Sequence, residues 1–427
     1  GAIAAPLKDS EISKLVKFAS EYGLDLAVRG GGHSTGGTSS TAGGLVIDLS
    51  RMRQVIVDAN AKVITAQGGA LWEDVDYAAA AHGLAAVGGT VNHTGIGGLT
   101  LGGGLGWLTG QYGAVIDNLL AARVVIADGS ILNTSKTENP DLFWAIRGAG
   151  HNFGVTVEFT FRAHEQPNEV YAGGIVFTSD KLPSIVDALN ERLEHPDPKG
   201  AAMCVFAKPP QLPAAVVVVN LFYNGTEEQG KKYFASLFDL GPIVCEAKMM
   251  PYSGVNGMLN AMALPGGRRA LKGTSFALPV SKDFMRELWD YYVNELEANP
   301  DMSETFIGAE FYDLTKVSSV PLDAASFANR GQYISGIVGI SWTDPTKDEH
   351  NRAWGRGVLT KCRDWILKTH REPKSGQVIE YANYIEPGDS MEGKQYGANQ
   401  DRLAHLKLKF DPKCLFDKTN VITPVAA

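Results

Sequence analysis

Two glycine-rich stretches constrain the fold of this 427-residue chain more than any other feature. The first, residues 29–37, follows a run that favours a β-strand and places five glycines around His33. The second covers residues 88–106 and is similarly rich in glycine. One such stretch is an ordinary turn, but two cost chain entropy that a simple connection does not require. Together they predict a large, flat, anionic ligand whose phosphates contact backbone N–H groups.

The common nucleotide-binding motifs and several classes of partner do not fit the sequence. No Gly-Lys-Ser/Thr follows either stretch, and we expect neither to open a helix as a Rossmann fingerprint does. The net charge of −8 argues against a nucleic-acid partner. No apolar run is long enough to cross a membrane, and the four scattered cysteines give no metal-binding spacing. The length predicts two domains.

Apolar periodicity predicts that the lengths of the helices and strands change near residue 170. Before it, short strands and helices surround the glycine-rich stretches. After it, we expect strands over 171–177, 203–207, 215–223, 305–312 and 333–342, and helices over 183–193, 227–238, 283–297 and 349–366. Such a pattern favours an antiparallel sheet backed by helices. A last helix is expected over 396–410.

Four motifs occur in order: Arg29-Gly30-Gly31-Gly32-His33-Ser34, a Gly95–Gly104 stretch, Gly148-Ala149-Gly150-His151-Asn152-Phe153-Gly154, and Tyr381-Ala382-Asn383-Tyr384. They resemble those of the vanillyl-alcohol-oxidase/para-cresol-methylhydroxylase (PCMH) flavoproteins, especially the berberine-bridge-enzyme-like and oligosaccharide-oxidase branch. The resemblance implies an α+β fold: a PCMH-type FAD-binding domain of two small α/β subdomains, and a substrate domain with an antiparallel sheet backed by helices. We expect these at 1–168 and 169–385, with 386–427 returning to the first domain.

The resemblance implies that FAD is bonded covalently to His33. In bicovalent relatives a cysteine follows the Gly-Thr that opens the second stretch, whereas Val91 follows Gly89-Thr90 here. We therefore expect a single covalent bond, through His33. Outside this resemblance, a histidine among glycines most often hydrogen-bonds a backbone carbonyl.

Most of the remaining cofactor assignments concern backbone groups. Glycine lets N–H groups approach phosphate closely, and the resemblance adds an adenine-side contact after Gly154. Asp117 and Asn118 either serve the cofactor or cap a turn. The full set expected to bind FAD is Arg29, Gly30, Gly31, Gly32, His33, Ser34, Gly37, Gly89, Thr90, Thr94, Gly95, Gly97, Gly98, Asp117, Asn118, Gly154, Val155, Val157 and Asn383.

The catalytic candidates are Tyr384, Tyr381 and Thr94. By resemblance Tyr384 is the base and Thr94 takes the position that gates oxygen; otherwise the tyrosines are buried with satisfied hydroxyls. If the motif is a strand, Tyr381 and Asn383 share one face and Tyr384 the other. A tyrosine base needs a pKa well below about 10, and so a nearby cation or donor. The substrate candidates are His93, Glu310, Tyr312 and Arg330, each with a loop or surface role as the alternative.

The sequence thus predicts a monomeric oxidoreductase that oxidises an alcohol or amine-bearing carbon of a small to medium organic substrate and passes electrons to O2, forming hydrogen peroxide. A dehydrogenase with another acceptor and a non-catalytic flavin- or ligand-binding protein are the alternatives. The aromatic residues of the second region suit a phenol, an alkaloid or a sugar, and nothing in their spacing separates these classes. By resemblance a segment upstream of Gly1 is missing, which hides any export signal; we expect a secreted protein, with a cytoplasmic one as the alternative.

Overall fold

The computed structural model describes residues 1–369, 378, 380–386 and 395–425. Its first element group is a three-stranded parallel sheet of β1 (Ala2–Ala4), β2 (Leu26–Arg29) and β3 (Leu45–Asp48), in the order β1-β3-β2. Helix α1 (Asp9–Tyr22) lies between β1 and β2 in the chain and ends at Gly23, whose φ of 59° is in the left-handed region. Strand β2 delivers the chain directly into the first glycine-rich stretch.

The second sheet carries the other glycine-rich stretch. Its five antiparallel strands, in the order β4-β5-β9-β7-β8, are β4 (Val55–Asp58), β5 (Val63–Gln67), β7 (Leu119–Val125), β8 (Ile131–Ser135) and β9 (Val155–Arg162). Strands β6 (Leu84–Ala85) and β10 (His164–Glu165) form a separate pair. The helices are α2 (Trp72–Ala80), α3 (Ile96–Leu101), α4 (Thr109–Tyr112) and α5 (Pro140–Ala149).

Helix α3 corrects one expectation. It begins directly after Gly95, so the second glycine-rich stretch does open a short helix. Gly97 and Gly98 lie inside this helix, where glycine is a poor helix former, and this composition concealed the helix in the sequence. The surrounding sheets are not those of a Rossmann fold, which requires an open, mostly parallel sheet.

The third sheet has eight strands, all paired antiparallel. Along the path β14-β11-β13-β12-β17-β18-β16, with β15 beside β11, they are β11 (Val170–Phe177), β12 (Gly200–Ala207), β13 (Val216–Tyr223), β14 (Val244–Cys245), β15 (Lys248–Met250), β16 (Arg268–Ala277), β17 (Phe306–Tyr312) and β18 (Tyr333–Trp342). The helices of this region are α6 (Leu182–Glu194), α7 (Glu227–Tyr233), α8 (Ala235–Phe238), α9 (Tyr252–Val255), α10 (Lys282–Ala298), α11 (Thr315–Ser318) and α12 (Asp348–Lys368).

The large sheet has two different faces. Helices α6 and α12 pack against one face of β16, β17 and β18, and α10 packs beside them. The opposite face looks toward the first two sheets. This is the antiparallel sheet backed by helices that the sequence predicts, and the α+β fold class is confirmed. The predicted helix over 227–238 is interrupted at Phe234.

The last helix, α13 (Gln400–Phe410), contacts α5 of the first region. Its Lys407 is fully buried and donates to the carbonyl of Asn152 at 2.7 Å. Part of the expected C-terminal segment, residues 387–394 and 426–427, lies outside the described residues, and the domain bounds remain predictions. Among the described residues, no helix has the length and hydropathy needed to cross a bilayer.

Candidate active site

A cleft of about 1010 Å³ lies between the glycine-rich stretches and the large sheet. Most of the predicted cofactor-binding residues line it: Arg29, Gly30, Gly31, Gly32, His33, Ser34, Gly89, Thr90, Thr94, Gly95, Gly97, Gly98, Gly154 and Asn383. From the sheet come residues of β16, β17 and β18, and from the motif near residue 384 comes Tyr384 itself. The fold thus brings three of the four sequence motifs to one wall of the cleft, and Tyr384 and Asn383 of the fourth to another.

Glycines fill two distinct roles in this wall. A methyl group at Gly31 would overlap the backbone nitrogen of Gly95, and one at Gly95 would overlap the nitrogen of Gly31, so these two glycines let the two stretches cross. A methyl group at Gly98 would meet nothing within 4 Å. Gly31 and Gly95 are glycines because their backbones pack directly against each other. At Gly98 the absence of a side chain instead leaves the backbone exposed to the cleft.

His33 and His93 form a hydrogen-bonded pair at the cleft. Nε2 of His33 lies 2.8 Å from Nδ1 of His93, and the two rings are stacked with centroids 4.8 Å apart. Burial, reinforced by the neighbouring His93, lowers the pKa of His33 to about 4. His33 is therefore neutral at physiological pH, and one of its ring nitrogens is free of a proton. Nε2 of His93 is buried, and no described residue forms a hydrogen bond with it.

Tyr384 and Glu310 form a second pair. The Tyr384 hydroxyl donates to Oε1 of Glu310 at 3.0 Å, and Tyr312 donates to the same oxygen at 3.4 Å. Glu310 is only 1% exposed, and its Oε2 has no hydrogen-bond partner among the described residues. Burial raises the pKa of Glu310 to about 7 and, together with the nearby Glu310, raises that of Tyr384 well above its usual value. The pair thus consists of a buried carboxyl with a pKa near neutrality and a neutral phenol that lies between this carboxyl and the cleft.

The Tyr-x-Asn-Tyr motif is a turn of 3-10 helix over Ala382–Tyr384, and the expectation of a strand is wrong. Tyr381 does not line the cleft. Its buried hydroxyl accepts hydrogen bonds from the backbone N–H of Gly104 at 2.9 Å and from Nδ2 of Asn383 at 2.7 Å. Tyr381 therefore anchors the second glycine-rich stretch, which is the alternative the sequence left open for it.

Several other predicted residues lie away from the cleft. Arg330 is 1% exposed and pairs with Asp117 through two hydrogen bonds of 2.8 and 3.2 Å, and Phe327 packs against its guanidinium group. Asp117 also caps its turn by accepting from the N–H of Ala114, and Asn118 donates to two backbone carbonyls of the same loop. These three residues join elements instead of lining the cleft.

Four other predicted residues do not line the cleft: Val155, Val157, Gly37 and Tyr312. The side chains of Val155 and Val157 pack in the core with α1 and the parallel sheet, so their backbone contact with the cofactor stays a prediction, and Gly154 lines the cleft. Gly37, with a φ of 76°, turns the chain just beyond the residues that line it. Tyr312 is buried behind Glu310.

Thr156 and Glu386 are among the cleft residues that were missed in the sequence. Thr156, on β9 between the two valines, lines the cleft, and its buried Oγ1 has no hydrogen-bond partner in the described part of the chain. Strand alternation around Gly154 could have indicated it. The second is Glu386, which accepts from Oγ1 of Thr35 at 2.7 Å and from Nζ of Lys272 at 2.8 Å. Burial alone would raise the pKa of Glu386, but these hydrogen bonds hold it below its usual value.

These residues fit an FAD cofactor. The open backbone at Gly98 suits a phosphate or another flat group that needs close approach. The buried Thr156 hydroxyl, unpaired among the described residues, lines the same cleft and is available to form a hydrogen bond with a bound cofactor. No group of acidic, histidine or cysteine side chains in the described chain could hold a metal ion.

Comparisons with known proteins agree with this geometry. A family model described as an FAD binding domain matches residues 1–135. The FAD-linked oxidoreductase pgmH of Aspergillus terreus is 35% identical over 435 residues, which cover 97% of this chain and 86% of that protein. The crystal structure of 6-hydroxy-D-nicotine oxidase from Arthrobacter nicotinovorans superposes with a TM-score of 0.83 at 26% identity, over 99% of this chain and 92% of the other. The glucooligosaccharide oxidase of Acremonium strictum shares the fold, with a TM-score of 0.84 at 23% identity, over 100% and 91% of the two chains.

Fold, cleft and relatives together define an oxidoreductase that uses FAD, and the resemblance to the vanillyl-alcohol-oxidase/PCMH flavoproteins is confirmed. The chain belongs to the FAD-linked oxidoreductases.

Proposed function

We propose that the protein is an FAD-dependent oxidase that removes a hydride from an alcohol or amine-bearing carbon of a small to medium organic molecule and reduces O2 to hydrogen peroxide. The observation that carries the proposal is the Tyr384–Glu310 pair, since it places a proton acceptor of near-neutral pKa behind a hydroxyl that lines the cleft. The similarity to 6-hydroxy-D-nicotine oxidase supports an oxidase over a dehydrogenase.

Bound FAD supplies the hydride acceptor and the route for electrons to oxygen. The protein's part is proton transfer. No cation lies in the contacts described for Tyr384, so its phenol stays neutral and cannot act as a base alone. Tyr384 instead takes the substrate proton while passing its own to Oε1 of Glu310 at 3.0 Å. The sequence hypothesis of Tyr384 as base is refined to a relay that ends on Glu310.

The cofactor is proposed to be attached covalently through His33 alone. His33 lines the cleft as a neutral imidazole, which is the nucleophilic form. Val91 lines the cleft where a second, cysteine attachment would be needed, and none of the four cysteines, all in the described chain, lines it. Thr94 lines the cleft beside His93 and is proposed to control oxygen access. We further propose that the protein is a monomer, which light scattering tests.

The test is an anaerobic titration of the flavoprotein with alcohols and amines, followed by admission of air. We expect loss of the flavin absorbance, its rapid return in air, and one hydrogen peroxide per substrate oxidised. Return that is slow in air but fast with a quinone would identify a dehydrogenase. A flavin that dithionite bleaches and no substrate does would identify the non-catalytic alternative and contradict the proposal.

A further inference from the structure

The large sheet forms one wall of the cleft, and the polarity of this wall changes along the strands from charged to apolar. Residues paired directly on adjacent antiparallel strands share a face. Arg269 pairs with Ser341, and both line the outer part of the cleft with Glu304. An Nη of Arg269 lies 3.8 Å from Oε2 of Glu304, which also lies 3.4 Å from Oγ of Ser341. This outer row is charged and polar.

The next two rows of the same face are apolar. Leu271 pairs with Gly339, which pairs with Phe306, and one row deeper Gly273 pairs with Ile337. A side chain at Gly339 would overlap the Phe306 ring, so the glycine lets this ring lie flat against the sheet. Leu271, Phe306 and Ile337 all line the cleft and are partly exposed in it. None of these side chains can form a hydrogen bond.

The reacting groups lie at the inner end of this apolar band. A methyl group at Gly273 would lie 2.5 Å from Cβ of Tyr384, so Tyr384 rests on the sheet there. Its hydroxyl extends to Glu310, whose neighbour across the sheet is Met203, another residue that lines the cleft. Gly273 lies four residues along β16 from Arg269, which corresponds to about 13 Å.

A second apolar wall follows from the segment before β16. Leu259, Met262, Leu264 and Pro265 line the cleft, and the segment is fastened to the second glycine-rich stretch by the paired side chains of Asn260 and Asn92, 2.8 Å apart. Sugar hydroxyl groups that lie against these apolar side chains would have no partner there, and each buried unpaired polar group costs about 1–3 kcal/mol. A planar aromatic ring loses nothing there and gains contact with Phe306.

The geometry points to a substrate of one or two aromatic rings that carries the reacting hydroxymethyl group at one end and an anionic or polar group at the other, where it meets Arg269. This inference rests on the proposed function and narrows its substrate to one of the classes left open by the sequence. In the reaction a primary alcohol and O2 give an aldehyde and hydrogen peroxide. Bound FAD would supply the acceptor for the hydride of the carbinol carbon, while Tyr384 takes the hydroxyl proton and passes its own to Oε1 of Glu310.

The experiment compares four compounds by anaerobic bleaching of the flavin and by peroxide formation: 6-(hydroxymethyl)-2-naphthoic acid, 2-naphthylmethanol, cellobiose and xylobiose. We expect the two naphthalenes to reduce the flavin and the carboxylate to lower KM about tenfold relative to 2-naphthylmethanol. Reduction by the disaccharides but not by the naphthalenes overturns the inference and leaves the proposed oxidase intact. A flavin that none of the four compounds reduces contradicts the inference, and failure of the wider alcohol and amine panel as well contradicts the proposed function.

Arg269→Gln tests the outer end of the site. It should raise KM for the naphthoic acid about tenfold without changing kcat, and leave KM for 2-naphthylmethanol unchanged. Arg268→Gln is the matched control, because Arg268 pairs with Asp348 through two hydrogen bonds of 2.7 and 2.8 Å and does not line the cleft. Equal effects of Arg269→Gln on both naphthalenes would overturn the role of Arg269.

Discussion

Gly31 and Gly98 both lie in the glycine-rich wall, but substitution should affect them differently. Gly31 is held against the backbone of Gly95, whereas Gly98 faces open cleft from within helix α3. Gly98→Ala should therefore stabilise the protein without cofactor slightly, by about 0.5–1 kcal/mol from helix propensity, and lower its FAD occupancy. Gly31→Ala should destabilise the fold itself. Flavin absorbance per protein and thermal melts separate the two outcomes, and full FAD occupancy in Gly98→Ala would contradict the assignment of this wall.

The His33–His93 pair leads to a prediction about cofactor attachment. When Nε2 of His33 donates to Nδ1 of His93, Nδ1 of His33 is left without a proton and can form a bond. His93→Leu removes this acceptor and should lower the covalently attached fraction of flavin. His93→Asn supplies an amide oxygen and should retain more of it. His33→Ala should abolish the attachment.

The measurement for this pair is flavin fluorescence of the protein band after denaturing electrophoresis, compared with total flavin released by proteolysis. It does not depend on activity. Equal covalent fractions in His93→Leu and the unmodified protein would contradict the role of His93. A fluorescent peptide containing a cysteine instead of His33 would contradict attachment through His33 alone.

At the scale of elements, strand β17 and the 3-10 turn Ala382–Tyr384 meet at a titrating group. Because Glu310 must be ionised to accept a proton, and burial raises its pKa to about 7, log kcat/KM should fall by one unit per pH unit below about pH 7. Glu310→Gln should lower kcat about 10²- to 10⁴-fold and remove this limb of the profile. Tyr384→Phe should lower kcat within the same range, because it breaks the relay.

Tyr312→Phe is the control for that profile. Tyr312 donates to the same carboxylate oxygen as Tyr384, at 3.4 Å, but does not line the cleft. Its loss should leave kcat within a few-fold of the unmodified enzyme and keep the acidic limb. A pH profile that is flat between pH 5 and 8 in the unmodified enzyme would exclude Glu310 as the final proton acceptor.

The elements differ in how far the sequence predicts them. Apolar alternation identifies β11, β12, β13, β17 and β18, since their residues are buried on one or both faces. Strand β16 was missed because it is an edge strand and because Lys272 and Gly273 break its apolar alternation. The buried Lys272 is accommodated by a hydrogen bond to Glu386, which is more than a hundred residues away in the sequence. The Tyr-x-Asn-Tyr turn was mistaken for a strand because its conformation depends on contacts of Tyr381 with a distant glycine.

In the whole molecule, polar contacts join the FAD-binding region to the large sheet. Oγ1 of Thr35, two residues after His33, accepts a hydrogen bond of 2.9 Å from the backbone N–H of Leu271 on the edge strand β16. The same hydroxyl donates to Glu386. Arg330 and Asp117, 213 residues apart, form another such contact. Pairs this distant leave no pattern in the sequence, and this is why Arg330 and Asp117 were assigned to substrate and cofactor although they fasten one region to the other.

A third such contact makes stability depend on pH. Asp76 of α2 accepts from Nδ2 of Asn256 just after α9 at 2.8 Å, while Oδ1 of Asp76 and Oδ1 of Asn256 are both buried without partners. Burial raises the pKa of Asp76 to about 7, so the folded protein prefers the protonated carboxyl, which the unfolded chain loses near pH 4. This contribution to stability is complete below about pH 4 and is lost as the pH rises through about 7.

Asp76→Asn should therefore stabilise the protein at pH 8, because it removes the buried charge and replaces the unpartnered Oδ1 of Asp76 with an N–H donor near the unpartnered Oδ1 of Asn256. The gain over the unmodified protein should be on the order of a few kcal/mol in the free energy of unfolding at pH 8 and should shrink toward pH 5. Melting temperatures of both proteins across this pH range measure it, with the exposed Asp290→Asn as the matched control. A difference in melting temperature that is the same at pH 5 and pH 8 would show that Asp76 does not titrate in the folded protein over this range.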